Sequence, residues 1–521
     1  MATKRIAYHL GIAGTVMFLV LMFYGVAIDI PFAHHDTLRY FGKHFMPLTT
    51  VDPQDPFYSY SWAIGRPVAA ELEDFLFRRI SDFSGLSLAR LLCAALAGLL
   101  AWLAALSFRR LSLGSVISIL LGIFVAVLPG LQDRVFMAMP HCILGACSAV
   151  GAYLVWTSES PWRTRVLAVF LFLFFALLCY PVVALVFLAL LAAQMLWSDP
   201  GRWNTVRRQV GWGTLITVVS SVLYLLFVKG VLSQRFPAAA ADSHPSYQVT
   251  PDLLQLPGKL SLFFNEGMYF VANPFSPYGG VWGGHAVLLF ILFCLTRDRS
   301  WAWVLRWRRM FIWCLLFLGS VSVWLISPMD QLLYRALYPG MVLCAISLVW
   351  AVSIMVRHLG GSKTLARTCL AAMLGVGILG AHQLLTLNVW NANAEMTFIR
   401  SQLARAAKAD LKRIHVIEPL FTGYGFNGQK VIDDTHNIYS ASFWFDYSYL
   451  VKMGLWGQIT ERPLYACYDE QKACVKRTPE GVLLLTLSLP GEAIYPSEEM
   501  FVVDFNDLVR ASRVFHGSGV R

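Results

Sequence analysis

A carboxylate and an arginine stand three residues apart just after the first apolar stretch of the chain. These are Asp36 and Arg39, placed where a chain leaving a bilayer would meet water. A carboxylate can take a proton from a hydroxyl group near neutral pH once its surroundings tune its pKa. Asp36 is therefore the candidate general base; the alternative is a structural cap for the amphipathic stretch that follows.

Three arginines are candidate ligands for a phosphate group. Arg39 follows Asp36, Arg66 lies between a glycine and a proline, and Arg335 stands among apolar neighbours. A guanidinium group keeps its charge and offers a two-pronged donor fork to phosphate oxygens. The alternative for each is a cation at the level of the lipid headgroups. Glu266, in an aromatic-rich stretch, is a second-choice acid, base or sugar ligand.

The composition indicates a membrane protein. Of the 521 residues, 57% are hydrophobic and 14% are charged, and the mean hydropathy is +0.58. About a quarter of the residues in a soluble chain are charged. The net charge of +11 does not indicate nucleic acid, because the basic residues gather at the ends of apolar segments.

The apolar runs predict an all-α polytopic membrane domain over residues 1–390, with about eleven spans of near 20 residues. They cover about residues 8–28, 88–107, 113–131, 139–156, 166–179, 181–197, 211–232, 282–296, 310–326, 338–356 and 368–387. Alternating them from a cytoplasmic N-terminus places most arginine-rich turns in the cytoplasm, as the positive-inside rule requires. The loop 29–86, with its candidate base, then faces the other side.

One apolar stretch, residues 166–197, is long for one span and short for two. Tyr180-Pro181 interrupts it, and proline removes a backbone donor and clashes with the preceding turn. We expect two short helices in a hairpin that borders a polar cavity, since broken helices in membranes need protein or water around them. A purely structural kinked pair is the alternative.

Residues 391–521 have a different composition and are predicted to form a small α+β domain. A helix over 394–409 precedes a strand over 413–417, a hairpin over 463–476 and a strand over 481–489. The alternation of spans places this domain in the periplasm of a bacterium. That compartment is oxidising, so a Cys467–Cys474 disulfide is expected. The other eight cysteines lie in apolar segments, where cysteine acts as a small hydrophobic residue.

Two further motifs do not predict a functional site. His34 and His35 precede Asp36, but adjacent histidines do not easily bind one ion together, so no metal site is expected. The stretch Gly423–Gly428 matches a dinucleotide fingerprint, yet no apolar helix follows it, and such a match alone is weak. No cofactor and no nucleic-acid partner are expected.

The layout of the membrane domain resembles the GT-C glycosyltransferases, which use polyprenyl-phosphate-linked sugars. More narrowly, Asp36 and Arg39 followed by Gly65-Arg66-Pro67 are similar to the bacterial O-antigen-modifying glucosyltransferases of the serotype-converting type. Members often carry two neighbouring acidic residues in the first loop, whereas His35 precedes Asp36 here. The resemblance implies Asp36 as the base and Arg66 and Arg335 as ligands of the leaving phosphate.

The sequence thus predicts a multi-pass enzyme of the bacterial inner membrane. It would move a sugar from a polyprenyl-phosphate carrier to a cell-surface glycan of the O-antigen or lipopolysaccharide type, with a protein acceptor as the alternative. Two other functions stay open, a polysaccharide polymerase and a transporter or flippase of lipid-linked glycans. Few charges lie within the spans and no internal repeat is evident, which counts against transport.

Overall fold

The computed structural model describes a large part of the membrane domain and a few short segments after it. The described residues are 2–30, 61–62, 65–77, 83–232, 234, 253–268, 281–326, 334–407, 413–417, 464–467, 483–488 and 500–504. Asp36, Arg39 and Cys474 lie outside them.

The described part is mostly α-helical. In chain order the helices are α1 Ala2–Asp29, α2 Pro67–Phe77, α3 Phe83–Arg110, α4 Ser115–Ala126, α5 Pro129–Phe136, α6 Pro140–Trp156, α7 Trp162–Cys179, α8 Pro181–Ala184, α9 Val186–Leu196, α10 Trp203–Phe227, α11 Leu256–Leu262, α12 Val281–Arg297, α13 Trp303–Ser320, α14 Ser322–Ile326, α15 Tyr334–His358 and α16 Lys363–Ala407. Short 3₁₀ segments cover Pro200–Arg202 and Leu253–Gln255, and π-helical segments cover Val228–Leu232 and Phe263–Gly267.

Six of the described helical stretches are long and apolar enough to cross a membrane, so the chain is a polytopic membrane protein. They are Gly11–Asp29, Gly85–Arg110, Trp162–Cys179, Pro200–Val231, Arg335–His358 and Lys363–Ala394. The bent pair α4–α5 makes a seventh if it counts as one span. Every predicted span lies on helical residues, although some, such as 113–131 and 310–326, are divided between two helices. The number eleven stays a prediction, because helices such as Pro140–Trp156 and Pro181–Leu196 are shorter.

Small residues let the helices approach closely. Gly122 of α4 faces α3, where a Cβ atom would collide with the Ala101 carbonyl oxygen and would lie 2.9 Å from the Ala105 nitrogen. Helices in a membrane gain their association from such close packing rather than from hydrophobic burial. The outward faces stay apolar; Phe18 and Met22 of α1, for example, are exposed as expected for lipid contact.

The predicted span 113–131 is broken by a bend of 56° between α4 and α5. The carbonyl groups freed at the break are all hydrogen-bonded. Tyr338 donates to Val125 O at 3.1 Å and Tyr24 donates to Ala126 O at 3.0 Å. Gln132 Nε2 donates to Val127 O at 2.8 Å and to Ala381 O at 2.7 Å. Backbone polar groups at membrane depth need such partners, so α1, α15 and α16 together hold α5 in place.

The break at Tyr180 lies where the sequence predicts it. Helix α7 ends at Cys179, Tyr180 is extended with φ −161° and ψ 111°, and Pro181 begins α8. Proline is well tolerated at the first helical position because its missing N–H has no intrahelical partner there. The buried Tyr180 side chain lies next to charged residues, as described below.

The bundle has two polar ends. At one end, Arg110 donates to Thr157 Oγ1 at 2.7 Å and Arg309 donates to Leu196 O at 3.0 Å. His358 Nε2 lies 3.0 Å from Arg297 O at the same end. Helix α6 runs from the other end to this one over 17 residues, or about 25 Å. The predicted cytoplasmic turns therefore gather together, away from Arg66 and Arg335.

The secondary structure after residue 390 differs in part from the sequence prediction. Helix α16 continues for 45 residues to Ala407, so the predicted span 368–387 and the predicted helix 394–409 are one helix. Four strands follow, β1 Arg413–Ile417, β2 Leu464–Cys467, β3 Leu483–Ser488 and β4 Met500–Asp504. They form one sheet in the order β2-β3-β1-β4 with every pairing parallel. Parallel neighbours need crossover connections; the connecting residues lie outside the described part, and the α+β class stays a prediction.

Candidate active site

The structure describes two of the candidate site residues in full. Arg66 and Arg335 have described side chains, whereas Asp36 and Arg39 lie outside the described residues. Glu266 belongs to the π-helical segment Phe263–Gly267, of which only the backbone is described at that position. Cys467 ends β2, and its predicted partner Cys474 is outside the described part.

Arg66 is held by a turn at the start of α2. Gly65 adopts φ +86°, a conformation that glycine takes without a steric penalty. Its N–H bonds Trp62 O at 3.0 Å, and the Arg66 N–H bonds Ser61 O at 2.8 Å. Tyr224 of α10 donates to Gly65 O at 3.0 Å. Any side chain at position 65 would collide with the Tyr224 hydroxyl, so the turn requires glycine.

The Arg66 guanidinium lies over the ring of Tyr180, with its Cζ atom 4.6 Å from the ring centroid. A cation at this distance is attracted by the negative face of the ring. Arg134 of α5 approaches the same ring, at 6.0 Å, and the ring of His141 is 6.4 Å away. Tyr180, at the helix break, thus contacts the turn before α2, helix α5 and helix α6.

Arg335 reaches the same group of residues from the start of α15. Its Nη1 atom lies 3.9 Å from Asp133 Oδ2. Arg134 Nη2 donates to the same carboxylate oxygen at 2.5 Å. All three side chains are largely buried, with 3% of Asp133, 6% of Arg134 and 14% of Arg335 exposed. One carboxylate therefore holds two arginines together at the end of the bundle.

A second carboxylate lies nearby. Glu73 Oε1 is 3.0 Å from His141 Nδ1, and both side chains are buried. Arg90 of α3 is completely buried and its Nε donates to Phe136 O at 3.1 Å, at the end of α5. These contacts tie α2 and α3 to the helices that carry Arg134 and His141.

We call these eight residues the polar cluster: Arg66, Glu73, Arg90, Asp133, Arg134, His141, Tyr180 and Arg335. Counted over the described residues alone, it contains four arginines and two carboxylates, so these residues carry a charge of plus two before His141 is considered. A positive excess in a poorly hydrated place favours an anion as ligand. Phosphate suits it best, because arginine forks match phosphate oxygens.

The sequence predicts Arg66 and Arg335 as phosphate ligands, and it does not single out the other six residues of the polar cluster. In the sequence, Arg134 is a lone arginine in a short turn between two predicted spans, and His141 is an isolated histidine at the end of an apolar segment. The signal for Asp133 was present, since an acidic and a basic residue stand side by side between two apolar runs. Among the described residues no group of three or more His, Cys, Asp or Glu side chains is arranged to hold a metal ion.

No family model and no curated protein matches the sequence. Among solved structures, the chain is similar to the apo crystal structure of the Archaeoglobus fulgidus oligosaccharyltransferase, with a TM-score of 0.42 and 13% sequence identity. The similarity covers 86% of this chain and 64% of the archaeal chain. This chain thus spans less than two thirds of the length of that protein.

Proposed function

We propose that the chain is a membrane glycosyltransferase that moves a sugar from a polyprenyl-phosphate carrier to a cell-surface glycan. The carrier is a lipid, so its phosphate stays at the membrane edge, where a bundle end can bind it. The observation that carries the proposal is the meeting of Arg66, Arg134 and Arg335 around Tyr180 and Asp133. These guanidinium groups come from three separate elements.

In the proposed reaction, a hydroxyl oxygen of the acceptor attacks the anomeric carbon of the donor sugar. The bond between that carbon and the phosphate oxygen breaks, and the polyprenyl phosphate leaves with the electron pair. The carboxylate of Asp36 takes the hydroxyl proton, and the configuration at the anomeric carbon inverts. Negative charge grows on the leaving phosphate, and preplaced cations lower the energy of that transition state.

The polar cluster is suited to this role because its cations are already in position. Arg66 is fixed by the turn at Gly65 and by the Tyr180 ring. Arg134 and Arg335 are fixed by Asp133. A site whose dipoles and charges need little rearrangement stabilises a developing charge more effectively than water does. Asp133 in this proposal positions the arginines and does not react.

The remaining parts of the proposal rest on the topology and on the resemblance of the sequence. The arginine-rich turns would face the cytoplasm of a bacterium, so the polar cluster and the sheet after α16 would face the periplasm. The acceptor would then be a glycan of the O-antigen or lipopolysaccharide type. Arg39 and Glu266 would contact the donor or acceptor, and Cys467 and Cys474 would form a periplasmic disulfide.

The test is a transfer assay with the full chain in membranes. Synthetic polyprenyl-phosphate-glucose, with other hexose and pentose donors as a panel, is incubated with lipopolysaccharide, and free polyprenyl phosphate and labelled glycan are measured. We expect Asp36→Asn to abolish both products while the protein still inserts. Arg66→Gln and Arg335→Gln should lower the rate by about 10²–10³-fold, the usual loss when one stabilising donor is removed.

The matched control is Arg163→Gln, an exposed arginine at the start of α7 on the other end of the bundle; it should leave transfer unchanged. Full activity of Asp36→Asn would overturn the assignment of the base. The same assay separates the other functions. A flippase would move the donor between leaflets without cleaving the sugar–phosphate bond, and a polymerase would yield products of increasing chain length.

A further inference from the structure

A groove opens at the end of the bundle that carries the arginine-rich turns, away from the polar cluster. It lies between the first turns of α10 and α13 and has a volume of about 510 Å³. Its walls include Arg207, Trp303, Trp307, Arg308, Phe311 and Ile312. The groove therefore combines cations with large aromatic side chains at one place.

Buried aromatic and charged side chains lie behind the groove. Trp203 is buried and packs edge-on against Trp301, with 5.4 Å between the ring centroids. Arg309 is fully buried behind this pair, its Cζ atom 4.1 Å from the Trp301 ring centroid. Its Nη1 atom pairs with Asp298 Oδ2 at 3.0 Å. Arg309 is thus committed to the interior, whereas the neighbouring Arg308 faces outward.

The two arginines of the walls are available for a ligand. Arg207 and Arg308 are exposed, and neither makes an ion pair or a hydrogen bond through its side chain in the part of the chain that the structure describes. They stand on different helices and line the same groove. Their charges are therefore open to an anion that enters between α10 and α13.

An apolar stripe leads from these charges along α13. Trp303, Trp307, Phe311 and Leu315 follow one another at four-residue spacing, and their exposed fractions are 60%, 43%, 63% and 52%. Residues at this spacing share one face of a helix. Tryptophan is typical of the membrane–water interface. From Phe311 onward the stripe is fully apolar. It can therefore run from the headgroup region into the hydrocarbon core of the bilayer.

We infer that this groove binds an anionic glycerophospholipid of the bilayer, its phosphate between Arg207 and Arg308 and an acyl chain along Phe311 and Leu315. The charge complementarity selects an anionic headgroup, and the apolar stripe selects a lipid over a free phosphate ion. Basic pockets between membrane helices recognise anionic headgroups by this combination. The inference does not depend on glycosyl transfer, since it rests on residues at the opposite end of the bundle.

The test compares phosphatidylglycerol with phosphatidylcholine as probes. The full chain is reconstituted in bilayers that contain both lipids, and the lipids retained after gentle extraction are counted by native mass spectrometry. We expect the unmodified chain to retain phosphatidylglycerol preferentially. The double variant Arg207→Gln, Arg308→Gln should lower this preference about tenfold or more, since each cation contributes to the attraction of anionic lipid.

Two matched variants decide the cause. Arg163→Gln combined with Arg367→Gln removes the same charge from exposed positions outside the groove and should keep the preference. Arg207→Lys combined with Arg308→Lys keeps the charge and should retain most of it. An unchanged preference in the glutamine variant, or an equal loss in the control, would overturn the inference. Displacement of the lipid by inorganic phosphate would also overturn it, because the site would then need no acyl chain.

Discussion

The guanidinium of Arg66 lies 4.6 Å from the centre of the Tyr180 ring, which joins the turn before α2 to the break between α7 and α8. Tyr180 is extended because a proline disfavours the helical conformation at the residue before it. The break therefore places the Tyr180 ring where it faces Arg66 and, at 6.0 Å, Arg134.

Replacing Tyr180 by alanine should weaken binding of the lipid donor. Without the ring, Arg66 and Arg134 lose a contact worth about 0.5–2 kcal/mol in a desolvated place. We expect the KM for polyprenyl-phosphate-sugar to rise by about tenfold, which corresponds to ~1.4 kcal/mol. Tyr180→Phe keeps the aromatic face and should change KM little. Equal effects of the two substitutions would show that the ring face does not position the arginines.

Asp133→Asn should destabilise the protein, because it leaves Arg134 and Arg335 buried without their shared anion. Breaking a buried pair by removing one partner typically costs about 3–5 kcal/mol. Polyprenyl phosphate supplies a new anion in the proposed site, so adding it should restore part of the lost Tm. Thermal unfolding in detergent, with and without this lipid, measures both effects.

The control for this experiment is Asp298→Asn at the opposite end, where Asp298 pairs with the buried Arg309 at 3.0 Å. It should lower Tm similarly, and polyprenyl phosphate should not restore it. If the lipid rescues both variants equally, the rescue is not specific to the polar cluster.

The hydrogen bonds at the α4–α5 break should be important for stability. Tyr24→Phe and Tyr338→Phe each leave a buried carbonyl group, Ala126 O or Val125 O, without its tyrosine donor. Loss of one partner of a buried hydrogen bond costs about 1–3 kcal/mol. We expect each variant to unfold at a lower temperature and the double variant to show roughly the combined loss. Unchanged Tm values would mean that the break is held by packing alone.

Gly122→Ala should disrupt the contact of α3 with α4, since the added Cβ atom collides with the Ala101 carbonyl oxygen. Overpacking of this kind costs about 1–3 kcal/mol. Gly211→Ala in α10 is the matched control, because nothing lies within 4 Å of the position of its Cβ atom. It should be neutral or slightly stabilising, as alanine favours helix over glycine. Tm values of the two variants, measured side by side, check the difference.

The two helix breaks show how far the sequence can predict this fold. The break at Tyr180 was predictable, because Pro181 interrupts an apolar run of unsuitable length. The break before Pro129 is harder to predict, because residues 113–131 have a suitable length for one span and the breaker residues Pro129 and Gly130 stand close to the end of the run. The stability of this break depends on Tyr24 and Tyr338. These residues donate hydrogen bonds to the carbonyl groups of Ala126 and Val125, which are 102 and 213 residues away along the chain. Such partners cannot be assigned from local patterns.

The polar cluster shows the same limit. Single arginines near apolar segments, such as Arg66 and Arg335, can be recognised in the sequence as candidates. The charge that unites Arg134 and Arg335 comes from Asp133, which meets Arg335 only through the packing of α5 against α15. The length of α16 is likewise not predictable from the sequence pattern, because the composition changes from apolar to polar within this one helix.

We propose that the polar cluster binds the phosphate of a polyprenyl-phosphate carrier. The most direct measurement is an experimental structure of the full chain in lipid nanodiscs with polyprenyl phosphate added. We expect the lipid phosphate within hydrogen-bond distance, about 3 Å, of the Arg66 and Arg335 guanidinium groups, with Asp36 beside the polar cluster. A phosphate bound elsewhere, with the arginines of the polar cluster paired only with Glu73 and Asp133, would show that the polar cluster is not the phosphate site.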